Sequence, residues 1–468
     1  MSIIETQTID INQQRAKVFG QHPELKLVAP CKLDDGVLGY DEVQKELLIE
    51  KFENSKIQST FFIPASGSGS RMFQFLYDFL EEPTEQNTSQ VEQFLNNIEK
   101  FAFYYQLPID FRMKIHQQEL SLEEIVRYLL TNEGMSYGDL PKGLIPFHKN
   151  GPFVLTPFQE QLLQGLTIKE GGVNFHYTIK PEFETKINKV INVVRDFIGQ
   201  QVDVTYSIQN PDLDSVAFDG DKEAVLNESG DVLTRPSGHG ALIQNLNNID
   251  SDLIFIKNID NVQQYAKSHE TSETWKYLGG MALWFQEKMA KLMKNPSHDS
   301  FVKFNNRFQL LTKEQAESIS EEEIVALLNR PFRICGMVRN EGQPGGGPFW
   351  VQEEGIITKQ IVEKAQINTK GSQFRLMIQS SYFNPVVMVA VTKDIQGGKF
   401  DLKEFVDESK YFVVKKSYKG QPIYFSELPG LWNGSMANWN TIFVEIPAQA
   451  FTPVKTVLDL LAEPHKEI

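Results

Sequence analysis

Hydrophobic and polar positions from about residue 151 onward follow two alternating periods, one helical and one extended. Apolar residues recur every three to four positions in some segments, which predicts helices, and form short buried or alternating runs in others, which predicts strands. The predicted helices are 156–166, 181–198 and 242–246, and the predicted strands are 173–179, 202–208 and 253–256. Such alternation is typical of an α/β fold with a mixed, mostly parallel sheet flanked by helices.

The same patterns predict three divisions of the chain. They are a polar, helical N-terminal leader at 1–58, the α/β core at 59–330, and a region at 331–468 that completes the core. A helical insertion at about 73–138 interrupts the core, and its apolar spacing does not distinguish a lid from a purely structural subdomain. The glycine-rich segment 341–348 predicts a flap whose role the sequence does not define.

The composition of the chain mainly argues against certain classes of partner and site. The chain has 468 residues, a formal net charge of −15 and two cysteines, Cys31 and Cys335. An acidic surface disfavours nonspecific binding to nucleic acid or to an acidic membrane, and two cysteines favour neither a disulfide framework nor a cysteine-based zinc site. The N-terminus lacks the pattern of a signal peptide, and no apolar run is long enough to span a membrane. We therefore expect a cytoplasmic protein that binds neither nucleic acid nor membranes.

The strongest chemical signal lies at 61–72, where an apolar run ends in a loop of small residues followed by a fixed cation, Arg71. Glycines allow the backbone N–H groups of such a loop to turn toward an anion, and a helix that begins near Arg71 would add the positive end of its dipole. The loop therefore has the composition of a phosphate-binding site. It matches neither the Walker A nor the Rossmann pattern, and an ordinary strand-to-helix turn uses the same residue types. The residues concerned are Ala65, Ser66, Gly67, Ser68, Gly69 and Ser70.

Five segments, taken in order, carry a resemblance to a known family. The glycine loop is followed by a Pro-Lys-Gly element, a Pro-x-Gly-His-Gly turn, an apolar strand that ends in Asp-Asn, and a Phe-x-Pro-Val-Lys-Thr segment with Asp-Leu-Leu. The five lie at 61–72, 140–147, 235–240, 255–261 and 451–461. In this order they resemble sugar-1-phosphate nucleotidyltransferases of the UDP-sugar pyrophosphorylase type, and an uncharacterised bacterial family related to them.

The resemblance implies a fold, a cofactor and three catalytic cations. The fold would be that of the nucleotide-diphospho-sugar transferases, which is GT-A-like, with the core binding the nucleotide and the C-terminal region on the acceptor side. The family holds Mg²⁺ with an acidic residue at the position of Asp260. Cations at the positions of Arg71, Lys142 and Lys455 would face the reacting phosphates. Taken alone, each lysine also fits a solvated surface charge.

The resemblance further implies which residues contact the nucleotide. In addition to the glycine loop, these are Gln209, Gly238, His239, Gly240 and Asn261. An amide such as that of Gln209 can read the edge of a pyrimidine, although the residue also fits an ordinary turn. Asn261 is likewise a common helix cap.

The function implied is transfer of a nucleotidyl group from a nucleoside triphosphate, with UTP favoured, to a sugar 1-phosphate or similar phosphate, with release of pyrophosphate. Two departures from the family leave an alternative open. Ser66 replaces the usual glycine or alanine, and Ala448, Gln449 and Ala450 stand where related enzymes have an arginine-bearing stretch. The alternative is a noncatalytic protein that binds a nucleotide or sugar nucleotide on the same fold. A glycosyltransferase is disfavoured because 259–261 provides one acidic residue instead of an Asp-x-Asp motif.

Overall fold

The computed structural model describes residues 10–22, 24–169, 173–199, 202–340, 346–367 and 371–467. Two compact units make up the chain, and each is assembled from three segments. The first unit contains Met1–Lys51, Gln209–Ile254 and Leu278–Ile446, and the second contains Phe52–Ile208, Phe255–Tyr277 and Pro447–Ile468. The C-terminal segment therefore belongs to the unit that contains the glycine loop, a grouping that the order of the sequence does not indicate.

The second unit contains a parallel sheet with helices. Ser59–Pro64 pairs in parallel with Asn174–Thr178, which pairs in parallel with Val204–Ser207. Leu253–Ile256, which enters this unit at Phe255, is the other neighbour of Ser59–Pro64. The helices of this unit are Gln74–Glu81, Glu85–Asn96, Ile109–His116, Leu122–Leu130, Pro157–Ile168 and Glu184–Ile198, and a short hairpin joins His148–Asn150 to Phe153–Leu155.

Local sequence explains where these helices begin and end. Pro157–Ile168 starts with a capping box between Thr156 and Gln159, which satisfies N–H groups that the first turn leaves unpaired. Glu184–Ile198 buries one apolar stripe and ends at Gly199, whose φ of 62° places it in the left-handed region that glycine adopts without strain. Both helices, and the strands Asn174–Thr178 and Val204–Ser207, lie where the sequence predicts them, to within a few residues, whereas the strand Phe153–Leu155 was not predicted.

The helical insertion is confirmed, and it forms a hydrophobic core together with residues from outside the insertion. Phe94, Phe101 and Phe103 are fully buried there and their rings pack on one another at centroid distances of 5.0 to 6.2 Å. Val454 and Val457 from the C-terminal segment are buried in the same core. Because burial of such a side chain stabilises by roughly 2 kcal/mol, this core fixes the position of the C-terminal segment within the unit.

The first unit contains a mixed sheet and a separate three-stranded antiparallel sheet. In the mixed sheet, Phe332–Arg339 runs parallel to Asn440–Glu445 and antiparallel to Met388–Val391. The remaining strands are Lys26–Pro30, Lys32–Leu33, Gly36–Leu38, Ser215–Val216, Thr234–Arg235, Gly347–Glu353, Ile356–Val362, Tyr382–Phe383, Phe412–Tyr418 and Gln421–Glu427. The helices are Ile11–Phe19, Leu242–Asn247, His298–Phe308, Lys313–Ala316, Glu321–Leu328 and Gln373–Ile378, with Glu42–Glu53 and His269–Lys294 extending across the division.

The α/β class with a largely parallel sheet and helices is confirmed. The predicted helical leader is more mixed than expected, because the strands Lys26–Pro30, Lys32–Leu33 and Gly36–Leu38 lie between its two helices. In the predicted flap, residues 341–345 lie outside the described residues. No helix among the described residues is long and apolar enough to cross a membrane.

Candidate functional site

The buried strand Ser59–Pro64 leads directly to the glycine loop. Three of its apolar side chains are at most 2% exposed, as expected for a strand covered on both faces. The loop occupies 65–69, and a 3-10 turn at Ser70–Phe73 continues into the helix Gln74–Glu81. Strand, loop and helix therefore follow one another as predicted.

Gly69 is required by close packing and is not available to an anion, which corrects the expectation from sequence. A Cβ on Gly69 would collide with Cδ1 of Ile145 and lie 3.0 Å from the carbonyl oxygen of Leu140. The Gly69 N–H donates a hydrogen bond to this same oxygen at 2.9 Å. Neither Gly69 nor Gly67 has a positive φ, so the loop does not depend on left-handed backbone.

Gly67 occupies the open part of the loop. No atom lies within 4 Å of the position that its Cβ would take, and the residue is exposed. Across the described ranges, the backbone N–H groups of Ser66, Gly67 and Ser68 have no hydrogen-bond acceptor, whereas the Ser70 N–H donates to the Ser68 hydroxyl at 3.1 Å. An anion-binding loop typically presents consecutive backbone N–H donors of this kind to its ligand.

The Pro-Lys-Gly element lies directly against this loop. Ser68 and Pro141 form an antiparallel bridge, and the Lys142 N–H donates to the carbonyl oxygen of Gly67 at 3.2 Å. A Cβ on Gly143 would lie 2.6 Å from Cε2 of Phe158, so only glycine permits this approach. The backbone of Lys142 is consequently fixed beside the open part of the loop.

The side chain of Lys142 forms an ion pair with Asp260. Its Nζ donates to Oδ2 of Asp260 at 2.8 Å, and the two side chains are 15% and 11% exposed. Asp260 follows the buried strand Leu253–Ile256, as predicted. Its other carboxylate oxygen, Oδ1, is buried and has no hydrogen-bond partner among the described residues. A buried carboxylate oxygen without a partner is costly, so this atom is a candidate ligand for a cation.

The C-terminal segment reaches the same residues. The Val454 N–H donates to the carbonyl oxygen of Asp260 at 3.1 Å, and Pro453 forms a bridge with Asn261. The Asn261 side chain accepts from the Thr452 N–H at 3.0 Å and donates to the carbonyl oxygen of Ala450 at 3.4 Å. Asn261 therefore holds this segment in place, and its contact with a nucleotide stays a prediction.

Lys455 directly follows the residue that bonds to Asp260. Its backbone N–H donates to Oδ2 of Asp459 at 2.7 Å, so its main chain is fixed, while its side chain is exposed. Arg71 is also exposed, at the first turn after the glycine loop. The second unit thus brings the loop, Lys142, Asp260 and the Lys455 backbone into one connected set of contacts.

The predicted residues Gln209, Gly238, His239 and Gly240 belong to the first unit. Gly238 has a φ of 78°, which favours glycine. The ring of His239 stacks on Trp432 with centroids 4.1 Å apart, and its Nδ1 accepts from the Leu431 N–H at 2.9 Å. Burial lowers the pKa of His239 to about 4. Gln209 is half-buried in the turn after Val204–Ser207.

One buried polar network was missed by the sequence analysis. Nδ1 of His148 lies 3.0 Å from Oε1 of Glu160, and its Nε2 lies 2.9 Å from Nδ1 of His465. Burial, and the proximity of His148, lower the pKa of His465 to about 3. The network links the helix Pro157–Ile168 to the C-terminal segment. No spacing signal could have revealed it, because the two histidines are 317 positions apart.

Two further observations bear on the location of a site. Within the described ranges, no group of three or more His, Cys, Asp or Glu side chains is arranged to hold a metal ion. A cavity of about 900 Å³ lies in the first unit, and Arg330, Lys359 and Trp439 are among the residues that line it. None of the residues predicted from sequence lines this cavity, so its size alone does not make it the site that the motifs indicate.

Comparison with known proteins gives distant structural similarities, two of which are described here, and one family. UDP-glucose phosphorylase from Trypanosoma brucei is 13% identical, with 95% of this chain and 72% of that chain covered and a TM-score of 0.42. A UDP-N-acetylglucosamine pyrophosphorylase candidate from Entamoeba histolytica is 12% identical, with 93% and 84% covered and a TM-score of 0.47. No curated protein matches the chain.

The family match covers almost the whole chain. Residues 2–466 match the family described as "Domain of unknown function (DUF4301)". The match includes the glycine loop, the Pro-Lys-Gly element, Asp260 and the C-terminal segment that contains Lys455. This protein is a member of the DUF4301 family.

Proposed function

We propose that this protein is a Mg²⁺-dependent nucleotidyltransferase. It would transfer a nucleotidyl group from a nucleoside triphosphate, with UTP favoured, to a sugar 1-phosphate or a similar phosphate, and release pyrophosphate. The proposal rests on the motifs that resemble UDP-sugar pyrophosphorylases and on the contacts among them.

One observation carries the proposal. The Lys142 backbone binds Gly67 of the loop, its side chain binds Asp260, and the backbone of Asp260 binds Val454, which precedes Lys455. Residues separated by as many as 387 positions thus form one set of contacts that supplies N–H donors, cations and a carboxylate. Nucleotidyl transfer requires these three kinds of group, because it brings anions together and must offset their repulsion.

The residues present fit a magnesium ion at Asp260. Oδ1 of Asp260 is a buried carboxylate oxygen without a hydrogen-bond partner among the described residues, and Mg²⁺ is commonly bound by one or two carboxylates together with water and substrate phosphates. When bound, Mg²⁺ would neutralise charge on the phosphates. No second acidic ligand is needed for this arrangement.

The chain's own residues would position the reactants. The N–H groups of Gly67 and Ser68 would bind phosphate oxygens, and Lys142 and Arg71 would offset the charge of the departing pyrophosphate. A sugar phosphate oxygen attacks the α-phosphorus, a new P–O bond forms there, and the bond to the β-phosphate oxygen breaks. Lys455 would stabilise charge that develops on the same phosphates.

The nucleobase and the acceptor are the less defined parts of the proposal. Gln209 and the turn at 238–240 would contact the base and ribose, as the resemblance implies. The partners proposed are therefore a nucleoside triphosphate and a sugar phosphate or similar small molecule. The cytoplasmic location inferred from sequence stays a prediction.

The test is pyrophosphate release, or isotope exchange between pyrophosphate and nucleotide, measured with Mg²⁺ across four nucleoside triphosphates and a panel of sugar 1-phosphates. We expect turnover with at least one pair, and none in EDTA. Tight nucleotide binding without turnover for any acceptor would instead support the noncatalytic alternative. Absence of both binding and turnover would overturn the proposal.

A further inference from the structure

The two oxygens of the Asp260 carboxylate have different surroundings. Oδ2 accepts the ion pair from Lys142 at 2.8 Å, whereas Oδ1 is buried without a hydrogen-bond partner among the described residues. Both side chains are largely withdrawn from water, where charges interact more strongly than at the surface. One buried carboxylate therefore has one counter-ion and one vacant oxygen.

A second cation would not share this carboxylate easily with the ammonium group. Mg²⁺ binds carboxylate oxygen at about 2.1 Å and the ammonium lies 2.8 Å from Oδ2, so a metal on Oδ1 would lie within roughly 6 Å of the ammonium. The repulsion between them would be poorly screened at this depth. Metal on Asp260 should therefore displace Lys142.

The backbone determines where a displaced lysine can go. The Lys142 N–H is bonded to the Gly67 carbonyl oxygen at 3.2 Å, and the N–H groups of Gly67 and Ser68 have no acceptor in the described part of the chain. The ammonium would thus leave Asp260 for a position beside the loop donors. A phosphate bound to the loop would attract it there.

We propose that the Lys142–Asp260 ion pair is an exchange switch, in which a polyphosphate draws Lys142 to the glycine loop and a divalent cation replaces it on Asp260. This inference rests on the proposed function for the identity of its ligands. It adds a coupling between the two ligands. Binding of the polyphosphate frees Asp260 for the metal, and binding of the metal frees Lys142 for the polyphosphate.

The first test measures binding of Mn²⁺, as a probe for Mg²⁺, to the full chain without nucleotide, from the electron paramagnetic resonance signal of free Mn²⁺. We expect Lys142→Met to bind Mn²⁺ at least tenfold more tightly than the wild type, because the competing ammonium is absent. Lys142→Arg retains a cation and should resemble the wild type. Asp260→Asn should abolish the tight site.

Lys149→Met provides the matched control for lost charge. Lys149 lies in the same unit and pairs with Glu467 at 3.1 Å instead of with Asp260. Its removal should change the Mn²⁺ affinity less than twofold. Equal affinities in the wild type and Lys142→Met, or no measurable Mn²⁺ binding in either folded protein, would overturn the exchange.

The second test uses inorganic tripolyphosphate in EDTA. Asp260→Asn frees Lys142 from its carboxylate, so we expect it to bind tripolyphosphate at least fivefold more tightly than the wild type. Asp139→Asn is the matched control, because Asp139 is exposed and lies three positions before Lys142. A gain of the same size in both variants would assign the effect to net charge and overturn the exchange.

The results of these measurements distinguish failure of the exchange switch from failure of the proposed function. If Lys142→Met binds Mn²⁺ more tightly than the wild type but no nucleotide and acceptor are turned over, the exchange switch is supported and the proposed enzymatic function is overturned. Turnover in the wild type, with unchanged Mn²⁺ affinity in Lys142→Met, would leave the enzyme and overturn the switch.

Discussion

The site residues predicted in the two units differ in how far their polar groups are already paired. In the second unit, the N–H groups of Gly67 and Ser68 and the Oδ1 atom of Asp260 have no partners among the described residues. In the first unit, His239 accepts a backbone hydrogen bond at 2.9 Å and stacks on Trp432 at 4.1 Å. The glycine loop and Asp260 present unpaired groups to a ligand, whereas the His239 ring is bonded within the chain, although the buried Oγ of Ser237 in the same turn has no partner among the described residues.

Resemblance of a motif to a known family and the presence of unpaired groups that could bind a ligand are therefore separate properties. A buried polar group normally has a partner, so the unpaired Oδ1 atom of Asp260 indicates a place that a ligand completes, and the exposed N–H donors of the loop are open to the same ligand. A paired histidine contributes to stability whether or not it contacts a ligand. The predictions that follow test this contrast.

The largest effect is expected for Asp260→Asn. The substitution keeps the size of the side chain and removes the charge that would hold Mg²⁺, so kcat should fall by ~10³-fold, which is about 4 kcal/mol of transition-state stabilisation. Nucleotide affinity should fall much less. Steady-state kinetics and calorimetry on the same preparation provide the check, and equal losses in both would argue against a metal role for Asp260.

Lys142→Met should lower kcat by ~10²- to 10³-fold, because a buried cation on developing phosphate charge is worth about 3 to 4 kcal/mol. It should also lower the unfolding free energy by roughly 3 kcal/mol without metal, since it leaves the Asp260 carboxylate unpaired. Lys455→Met removes an exposed cation that water screens, so a loss of only ~10-fold in kcat is expected. If Lys455→Met lowered kcat more than Lys142→Met, the cation that contributes most to catalysis would not be the one that pairs with Asp260.

Gly69→Val should destabilise the fold by roughly 3 kcal/mol, because its Cβ would collide with Ile145 and overpacked sites of this kind shift both backbone and side chains. Gly67→Val should leave the unfolding free energy within about 0.5 kcal/mol of the wild type. Urea unfolding of both variants provides the measurement. Equal stabilities would contradict the packing assigned to Gly69.

His239→Asn should affect stability more than binding. Loss of the stacking on Trp432 should lower the unfolding free energy by about 1 kcal/mol at neutral pH. Because the His239 ring is already bonded within the chain, it should contribute little to the contact that we propose between this turn and the nucleotide, so UTP affinity should change less than threefold. A larger loss of affinity would show that the ring itself binds the nucleotide.

The same histidine gives a pH dependence with a defined sign. Burial lowers the pKa of His239 to about 4, below the ordinary value of 6.5 for histidine, so between these two pH values the histidine is protonated in the unfolded chain and neutral in the folded one. Stability therefore falls as the pH falls from 7 to 4, and by pH 5 the loss is about 2 kcal/mol. His239→Asn should reduce this acid sensitivity in unfolding experiments, and an unchanged profile would assign it to other groups, such as His465.

Sequence periodicity anticipated much of the second unit. The strand Leu253–Ile256 and the helical insertion were predicted because each buries a regular apolar pattern that a local window reveals. The ion pair between Lys142 and Asp260 was not predicted, since it joins positions 118 residues apart and no local pattern encodes such a pairing. The packing that fixes Gly69 was missed for the same reason: glycine composition alone does not distinguish an open backbone from a close approach.

The most direct test of the account is calorimetric binding of UTP with Mg²⁺ to the wild type and to Gly67→Val. Gly67 has open space where its Cβ would lie, so the variant should fold normally while its side chain obstructs the unpaired donors. We expect the wild type to bind UTP and the variant to bind it at least ~100-fold more weakly, a difference of about 2.7 kcal/mol, with the same melting temperature for both proteins in the absence of ligand. Equal affinity in the two folded proteins would contradict the account and remove the glycine loop from the site.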